Sequence, residues 1–391
     1  MVTTDAKPNA GKPTPEEPLL VAEKNGVKVV TLNRPSKLNT ITEPIIMKMI
    51  DEYIKWEGDD STKMIILKSS GRVFCAGGDV NMFYGFGKSN EGWRSVVYRK
   101  YWFDYHLSTF KQPQIALLHA LVMGGGAGLS ILGRFRVATE KTIFSMPEVA
   151  IGFHTDVGAS YWLSRLPGSI GEYLALIGAR LDGADMYTSG LATHYVPLEK
   201  LADLEHRLVE LQSGDPAEID AAINEFAVPA KIGPNSIFNK ERQAVIDRAF
   251  SKPSVEEIVA SLEDEVKEPG QEWLKEPLKI LGRSSPTALK VVLQSIRTGR
   301  NQTLPEALKR EFRISINCLR ALISDDMYEG IRAVVIEKDN APKWKPATLE
   351  EVTQENLDKM LTSFNEEEDL RLPEQGKLPR WGGSWEETQK A

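Results

Sequence analysis

Short blocks of apolar residues, separated by turn residues, occupy the first half of the chain and predict β-strands. Two such blocks, residues 19–23 and 27–32, flank Asn25-Gly26. An Asn-Gly pair between apolar runs is a strong hairpin signal. Further strands are predicted at residues 64–68, 115–119, 135–139 and 142–145, and Val73, Phe74 and Cys75 lie in a strand that runs into a glycine turn.

Helical periodicity is found between these strands and dominates after about residue 215. Thr42, Glu43 and Pro44 predict the N-cap and first turn of a helix that continues to about Trp56 and carries an apolar face. Other helices are predicted at residues 91–110, 127–132, 170–177, 254–266, 285–297, 304–322 and 349–361. This order of elements indicates a mixed α/β layer structure with ligand sites at strand ends.

The same patterns divide the chain into four segments without an internal repeat. Residues 1–17 are rich in Pro, Lys and Glu and are predicted to be a flexible lead-in. Residues 18–212 form the predicted α/β core, residues 213–346 a helical region, and residues 347–391 a helix with an extended tail.

Charge and composition exclude several classes of function for this chain of 391 residues. The net charge of −7 gives no electrostatic reason to expect direct binding to nucleic acid. No apolar run approaches the roughly 20 residues of a membrane span, and the start has no secretory signal. Cys75 and Cys318 are too few for a disulfide framework, so a reducing compartment is expected. Cys75 is interpreted as a small buried hydrophobe.

Residues 119–157 hold the candidate chemistry. Gly124, Gly125 and Gly126 follow an apolar run, and Glu148 and Asp156 lie eight positions apart in apolar or glycine-rich surroundings. Glycines let backbone N–H groups approach a ligand closely, where they stabilise a developing oxyanion. A poorly solvated carboxylate favours action as a base or nucleophile. These features predict an enzyme that acts on an acyl thioester.

Plain structural explanations exist for each of these residues. The glycine run from Gly124 is also typical of a tight turn with close packing. Glu148 also fits a first-turn helix charge favoured by the helix dipole, and Asp156 also fits an N-cap. Lys100, on the predicted helix at residues 91–110, also fits a solvated helix charge.

Other known site types do not match the sequence. The glycine run has neither the last glycine of a dinucleotide-binding loop, since residue 131 is Ile, nor the Lys-Ser/Thr of a P-loop. His119, His154 and His194 lack metal-ligand spacing and are expected to be packed or hydrogen-bonded. The aromatic residues predicted to form core or pocket wall are Trp93, Tyr98, Tyr101, Trp102, Phe103 and Tyr105.

Several motifs, in this order, resemble one known family. The first half contains NRPSKLNTIT, FCAGGDV, MGGGAGLS and MPEVAIGFHTDVGASYWLSRLPG, and the second contains SSPTALKVVLQSIRTGR, EFR and EGIRAVVIEKDNAPKW. Together they resemble the crotonase (enoyl-CoA hydratase/isomerase) superfamily, in its 3-hydroxyisobutyryl-CoA hydrolase branch. The resemblance covers roughly residues 18–370.

The resemblance implies a ββα spiral core with a C-terminal helical region, a coenzyme A thioester substrate, and no metal or other cofactor. By motif position, the amides of Gly78 and Gly125 would hold the thioester oxygen. Glu148 matches the family's catalytic glutamate, which would attack the thioester or activate water. Asp156 matches the carboxylate that engages the substrate hydroxyl and assists proton transfer.

The remaining substrate-binding residues also follow from the resemblance. Leu38, Asn39 and Gly77 match positions whose backbone cradles the adenine end of coenzyme A, and Gly124 belongs to the same site as Gly125. Lys100 would line the acyl pocket.

Three positions bear on how this chain differs from its relatives. Lys100 precedes Tyr101 where the branch usually has a glutamate, and the alternatives are that it lowers the pKa of Glu148, pairs with Asp156, or points outward. Thr155 replaces the usual proline before Asp-Val-Gly. Position 128 is glycine, whereas hydratases place a second glutamate there.

The implied function is hydrolysis of a short β-hydroxyacyl-CoA, namely 3-hydroxyisobutyryl-CoA in valine breakdown, in the mitochondrial matrix. The alternative implied by the same branch is a structural subunit of a large assembly, the small subunit of the mitochondrial ribosome. The expected partners are the acyl-CoA substrate and either further copies of this chain or such an assembly, without direct nucleic-acid or membrane binding.

Overall fold

The structure is a computed structural model that describes residues 17–89 and 91–373. Nearly all of the predicted lead-in and the end of the predicted tail lie outside the described residues. The strands are β1 (Leu19–Lys24), β2 (Val27–Leu32), β3 (Met64–Ser69), β4 (Val73–Cys75), β5 (Gln114–Leu118), β6 (Leu121–Met123), β7 (Phe135–Ala138), β8 (Ile143–Ser145), β9 (Leu181–Asp182) and β10 (His194–Tyr195).

A larger sheet contains six of these strands in the order β1-β2-β3-β5-β7-β10. The predicted hairpin is confirmed: β1 and β2 pair antiparallel around Asn25 and Gly26, which both have positive φ. The pairs β2–β3, β3–β5, β5–β7 and β7–β10 are parallel. Alternate residues of β3 enter two different hydrophobic clusters, Ile65 in one and Ile66 in the other, so helices cover both faces of the sheet.

A smaller sheet contains the other four strands in the order β4-β6-β8-β9. Strands β4, β6 and β8 are parallel, and β9 closes the edge antiparallel to β8. Sequence patterns did not predict β6, because no turn residue separates its three residues from the strand predicted at residues 115–119. The mixed α/β fold class is confirmed.

The helices are α1 (Glu43–Glu57), α2 (Val80–Phe86), α3 (Gly92–Ser108), α4 (Gly125–Ile131), α5 (Ala159–Trp162), α6 (Ile170–Ile177), α7 (Gly183–Thr188), α8 (Leu201–Leu211), α9 (Pro216–Asn224), α10 (Lys240–Phe250), α11 (Val255–Glu265), α12 (Lys275–Arg283), α13 (Pro286–Gly299), α14 (Leu304–Leu319), α15 (Asp326–Ile331) and α16 (Gln354–Leu361). Within the described residues, no helix has both the length and the apolar character that a membrane crossing requires.

Two helix starts differ in detail from the sequence prediction. Thr42 is the N-cap residue of α1, but its side chain makes no capping hydrogen bond. Helix α16 begins at Gln354 and not near residue 349, because the Thr353 hydroxyl accepts a hydrogen bond from the Asn356 N–H and so sets the start.

The C-terminal helices share one hydrophobic core with the sheets. The largest cluster of buried apolar residues runs from Leu19 to Leu370 and includes side chains of α13 and α14. At two points backbones touch with no side chain between them. A Cβ added to Gly330 of α15 would lie 2.3 Å from the Ile151 carbonyl carbon, and one added to Gly299 of α13 would lie 2.1 Å from the Ser160 carbonyl oxygen.

We predict that Gly330→Ala lowers the free energy of unfolding by about 2 kcal/mol, because the added methyl group forces apart two packed backbones. Gly282→Ala is the matched control: it also lies in a helix, α12, and a Cβ there meets no heavy atom within 4 Å. The control should leave stability unchanged or raise it by about 0.5–1 kcal/mol. Urea denaturation of both variants measures the difference, and equal effects of the two substitutions would contradict the close approach.

Candidate active site

Three parallel strand ends bring the candidate residues together. In β4, β6 and β8 the chain runs in the same direction, so their carboxyl ends lie side by side at one edge of the smaller sheet. Gly77 and Gly78 follow β4, Gly124 and Gly125 follow β6, and Glu148 follows β8 after two residues. Ligand sites of α/β structures lie at such carboxyl edges.

The two glycine turns lie against each other. A Cβ added to Gly125 would lie 3.3 Å from the Gly78 nitrogen, and one added to Gly77 would lie 3.7 Å from the Gly125 nitrogen. Gly77 and Gly124 have φ of +101° and +46°, which glycine adopts without steric cost. Neither the Gly78 N–H nor the Gly125 N–H donates a hydrogen bond to an acceptor within the described chain. Two neighbouring N–H groups are thus available to one anionic oxygen.

Glu148 begins a single 3-10 turn, Glu148–Ile151, and its carboxyl group faces the second glycine turn. Its Oε1 lies 3.0 Å from the position of a Cβ on Gly124. Its Oε2 is buried and has no hydrogen-bond partner among the described residues. Burial, and then the charge of Asp156, raise the pKa of Glu148 well above its ordinary value. Glu148 does lie in the first turn of this short 3-10 helix, but its side chain is buried in the cleft, so a role as a helix-end charge does not account for its placement.

Asp156 lies in the loop between that 3-10 turn and α5. Burial is the main cause that raises its pKa to about 7, and Glu311 and Asp104 add to this while Lys100 opposes it. The N-cap interpretation is wrong, because the N-cap residue of α5 is Gly158 and no side chain caps that helix. The residue after Asp156, Val157, has a φ of +58°, a strained conformation for a β-branched residue.

Lys100 extends from α3 into the same cleft. Its Nζ is hydrogen-bonded to the buried Asp104 one turn later on the helix, and only 13% of its side chain is exposed. The interpretation as a solvated helix charge, or as a side chain that points outward, is therefore wrong. The Lys100 Nζ also lies 3.0 Å from the position of a Cβ on Gly128, in the space that a side chain at residue 128 would need.

Glu311 of α14 is a structural residue of the site that sequence patterns did not identify. Its carboxylate accepts hydrogen bonds from the N–H groups of Gly158 and Ser160, at 2.6 and 2.8 Å, and from the Ser160 hydroxyl. Burial raises its pKa to about 6. The signal for it was its position on the apolar face of α14, where Leu308 and Phe312 are buried beside it. This carboxylate holds the loop that carries Asp156.

A second hydrogen-bonded group joins α14 to the cleft. The Ser315 hydroxyl lies 2.7 Å from His154 Nε2 and 2.8 Å from the Tyr101 hydroxyl. Burial lowers the pKa of His154 to about 3, so the imidazole is neutral. The expectation that the histidines are packed or hydrogen-bonded is confirmed, since His119 also bonds to the Gly71 carbonyl and His194 to Thr193.

Most of the predicted site residues line one cleft, whereas two lie beside it. The cleft encloses about 1190 Å³, including its open mouth, and its lining includes Gly77, Gly78, Lys100, Gly124, Gly125, Glu148 and Asp156. Leu38 and Asn39 are not part of this lining. The Leu38 carbonyl accepts a hydrogen bond from the Ala76 N–H, and the Asn39 side chain is bonded to backbone atoms of Arg34, Ser70 and Val73.

The structure also shows the surroundings of Cys75, of the aromatic residues of α3 and of Thr155. Cys75 is completely buried, as predicted, and the aromatic residues of α3 lie in the core or, for Tyr101, in the cleft wall. The Thr155 side chain is buried, and its hydroxyl has no hydrogen-bond partner in the described part of the chain. Among the described residues there is no group of three or more His, Cys, Asp and Glu side chains that could hold a metal ion.

The sequence of this chain is similar to one protein family and to several named proteins. A family model described as enoyl-CoA hydratase/isomerase matches residues 27–361. The chain is 49% identical over 373 residues to 3-hydroxyisobutyryl-CoA hydrolase-like protein 5 of Arabidopsis thaliana, covering 95% of this chain and 96% of that protein. It is 41% identical over 351 residues to the human protein named 3-hydroxyisobutyryl-CoA hydrolase, mitochondrial, covering 89% of each.

The chain is also similar to a ribosomal protein in sequence and to a solved structure in fold. The chain is 40% identical over 370 residues to small ribosomal subunit protein mS47 of Arabidopsis thaliana, covering 93% of this chain and 90% of that protein. The crystal structure of a carnitinyl-CoA dehydratase from Mycobacterium thermoresistibile superposes with a TM-score of 0.82 at 34% identity, covering 93% of this chain and all of that one.

The raised pKa of Asp156 predicts a stability cost that grows with pH. Between its ordinary value near 3.8 and about 7, the folded protein holds a proton on Asp156 that the unfolded chain has lost. Folding stability therefore falls as pH rises through this window. Asp156→Asn removes the effect and should raise the free energy of unfolding at pH 8 by on the order of 2 kcal/mol, with little change at pH 4.

Urea denaturation at both pH values measures this gain. Asp60→Asn is the control, because the Asp60 side chain is 95% exposed and lies outside the cleft. A loss of stability at pH 8 in Asp156→Asn would show that the attraction between Lys100 and Asp156 outweighs the cost of burial.

Proposed function

Because this chain belongs to the enoyl-CoA hydratase/isomerase family, we propose that it hydrolyses 3-hydroxyisobutyryl-CoA to 3-hydroxyisobutyrate and coenzyme A. The relative named 3-hydroxyisobutyryl-CoA hydrolase-like protein 5, at 49% identity, and the human relative named 3-hydroxyisobutyryl-CoA hydrolase, at 41% identity, support this substrate. Coenzyme A is part of the substrate, and the proposed reaction uses no metal or other cofactor.

One observation carries the proposal. The N–H groups of Gly78 and Gly125, which donate to no acceptor among the described residues, lie beside the buried carboxyl group of Glu148. The thioester oxygen would bind between the amides of Gly78 and Gly125. This places the thioester carbon next to the second glycine turn, against which Glu148 Oε1 lies. The carbonyl would be polarised by the two amides and approached by Glu148 from within a poorly solvated cleft.

In the proposed first step, ionised Glu148 attacks the thioester carbon. The carbonyl electron pair moves onto oxygen, where the N–H groups of Gly78 and Gly125 stabilise the negative charge, each by on the order of 3 kcal/mol. The oxyanion then collapses, the C–S bond breaks, and the coenzyme A thiolate takes a proton from the carboxyl group of Asp156. The product of this step is an anhydride between Glu148 and the acyl group.

In the second step, water hydrolyses the anhydride. Asp156, now ionised, removes a proton from water as the water oxygen attacks the acyl carbon. The bond to Glu148 breaks, which returns the glutamate as a carboxylate and Asp156 to its protonated form. The hydroxy acid leaves and loses its own proton to solvent. The raised pKa values of both carboxyl groups favour a state in which the pair holds one proton, and the first step proceeds from the form in which that proton lies on Asp156.

The residue at position 128 favours hydrolysis over hydration of a double bond. Gly128 offers no carboxylate there, and the space beside it is taken by Val157 and by the Lys100 ammonium. The acidic partner of Glu148 is therefore Asp156, on a different element from the oxyanion helix α4. We propose a mitochondrial location, since the human relative is named mitochondrial. We also propose, from the family resemblance, that the reaction takes place in the matrix as part of valine breakdown.

We predict that Glu148→Gln lowers kcat for 3-hydroxyisobutyryl-CoA at least about 30-fold, because the amide can neither attack the thioester nor exchange the required proton. Thiol release, followed with a thiol-reactive dye, measures the rate. Glu355→Gln is the control, because Glu355 lies on α16 with 76% of its side chain exposed. Near-normal hydrolysis by Glu148→Gln would exclude the proposed role of this residue.

A second candidate function is membership of the mitochondrial ribosome, favoured by the 40% identity to a relative named as a small ribosomal subunit protein. In that case the native protein should sediment with the small ribosomal subunit in a sucrose gradient of a mitochondrial extract. It should be released only when the small subunit itself is taken apart. Recovery of all of the protein at the top of the gradient, together with thioester hydrolysis, would exclude this alternative.

A further inference from the structure

Lys100 lines the cleft and is ion-paired there with a buried partner. Lys100 projects from the middle of α3 and is ion-paired with Asp104, whose side chain is completely buried. The Asp104 Oδ2 atom has no hydrogen-bond partner in the described part of the protein. Burying this pair is costly unless the charges do further work, so its position in the cleft wall points to a ligand.

The absence of a side chain at Gly128 makes room for the ammonium. A Cβ on Gly128 would lie 3.0 Å from Lys100 Nζ and 2.7 Å from the Val157 Cβ. Any side chain at residue 128 would therefore displace either the ammonium or the loop that carries Asp156. The Lys100 ammonium thus lies beside α4, the helix whose first amide, that of Gly125, would hold the thioester oxygen.

The ammonium has hydrogen-bonding capacity beyond its ion pair. An ammonium group carries three N–H donors, and within the described residues Asp104 is its hydrogen-bond acceptor. Lys100 is a lining residue of the cleft together with Asp156. A ligand atom in the cleft that accepts a hydrogen bond from Lys100 would thus lie close to the carboxyl group of Asp156.

We propose that Lys100 determines acyl specificity: its ammonium donates a hydrogen bond to the hydroxyl oxygen at the far end of the acyl group. This inference rests on the function proposed above and names the residue that selects hydroxyacyl thioesters over thioesters without the hydroxyl. The hydroxyl can accept a hydrogen bond from Lys100 while it donates one to the carbonyl oxygen of protonated Asp156, so the ammonium and the carboxyl group both gain a partner.

The balance of charge in the cleft favours a hydroxyl over a carboxylate at this position. Lys100 faces Asp104 on its own helix and Asp156 on the neighbouring loop, and Asp156 in turn faces Glu148. The charge of Glu311 of α14 also reaches Asp156 and Glu148. One cation beside several carboxyl groups leaves no surplus positive charge for an anionic acyl group. A neutral group that both donates and accepts a hydrogen bond meets no such repulsion.

The test compares three thioesters that differ at one carbon: isobutyryl-CoA carries a methyl group, 3-hydroxyisobutyryl-CoA a hydroxymethyl group, and methylmalonyl-CoA a carboxylate. We expect the unmodified protein to have the highest kcat/KM for the hydroxyacyl thioester. In Lys100→Met, which keeps the length of the side chain, the ratio of kcat/KM for the hydroxyacyl thioester over isobutyryl-CoA should fall about 10- to 100-fold.

Lys359→Met is the matched control, because Lys359 also forms an i,i+4 ion pair, with Glu355, but on the exposed surface of α16. It should keep the ratio of the unmodified protein. A fall of kcat/KM for both thioesters by the same factor in Lys100→Met would overturn the inference, since Lys100 would then act on the chemistry or the fold and not on selection.

The unmodified protein supplies a test that does not depend on how the variant folds. Equal kcat/KM for the methyl and hydroxymethyl thioesters would overturn the role of Lys100 and leave the proposed hydrolase intact. A preference for methylmalonyl-CoA would overturn it as well, in favour of an anion site. Failure to hydrolyse any of the three thioesters would overturn the proposed function and this inference together.

Discussion

The parallel pairing of three short strands, β4, β6 and β8, is the constraint from which the site follows. Each strand has only three residues, yet their shared direction places a glycine turn, a second glycine turn and Glu148 side by side. Without this pairing, residues 78, 125 and 148 would have no reason to meet. The larger sheet shares one hydrophobic core with the smaller sheet, but its strands contribute none of these three groups.

Carboxyl groups are concentrated in a poorly solvated space, and the surrounding structure offsets the cost of their burial. Burial raises the pKa of Glu148, Asp156, Asp104 and Glu311 alike. Backbone amides of Gly158 and Ser160 stabilise Glu311, and the Lys100 ammonium stabilises Asp104. The strained backbone at Val157 persists because Glu311 fixes the residues that follow it.

The sequence allowed the fold class, most elements and the main cleft residues to be predicted, because these depend on local patterns and on ordered motifs. Hydrophobic alternation defined the hairpin, and glycine spacing defined both turns. It did not reveal Glu311, because this residue lies far along the chain from Gly158 and Ser160. It did not reveal Asp104 either, although Asp104 lies only one helical turn from Lys100, because an acidic residue in a helix is usually solvated. The direction of the Lys100 side chain could not be predicted either. Helical periodicity shows on which face of α3 a residue lies, but only the tertiary structure shows what packs against that face.

The close backbone contacts at Gly330 and Gly299 have a consequence for how such proteins can diverge. The 3-10 turn that begins with Glu148 rests directly on the main chain of α15, and α5, which follows the loop that carries Asp156, rests on the end of α13. Neither contact contains a side chain that could be trimmed or enlarged to absorb a mismatch. Exchange of gene segments between homologues would therefore preserve the geometry of both carboxylates only when the amino-terminal and carboxy-terminal halves are inherited from the same parent.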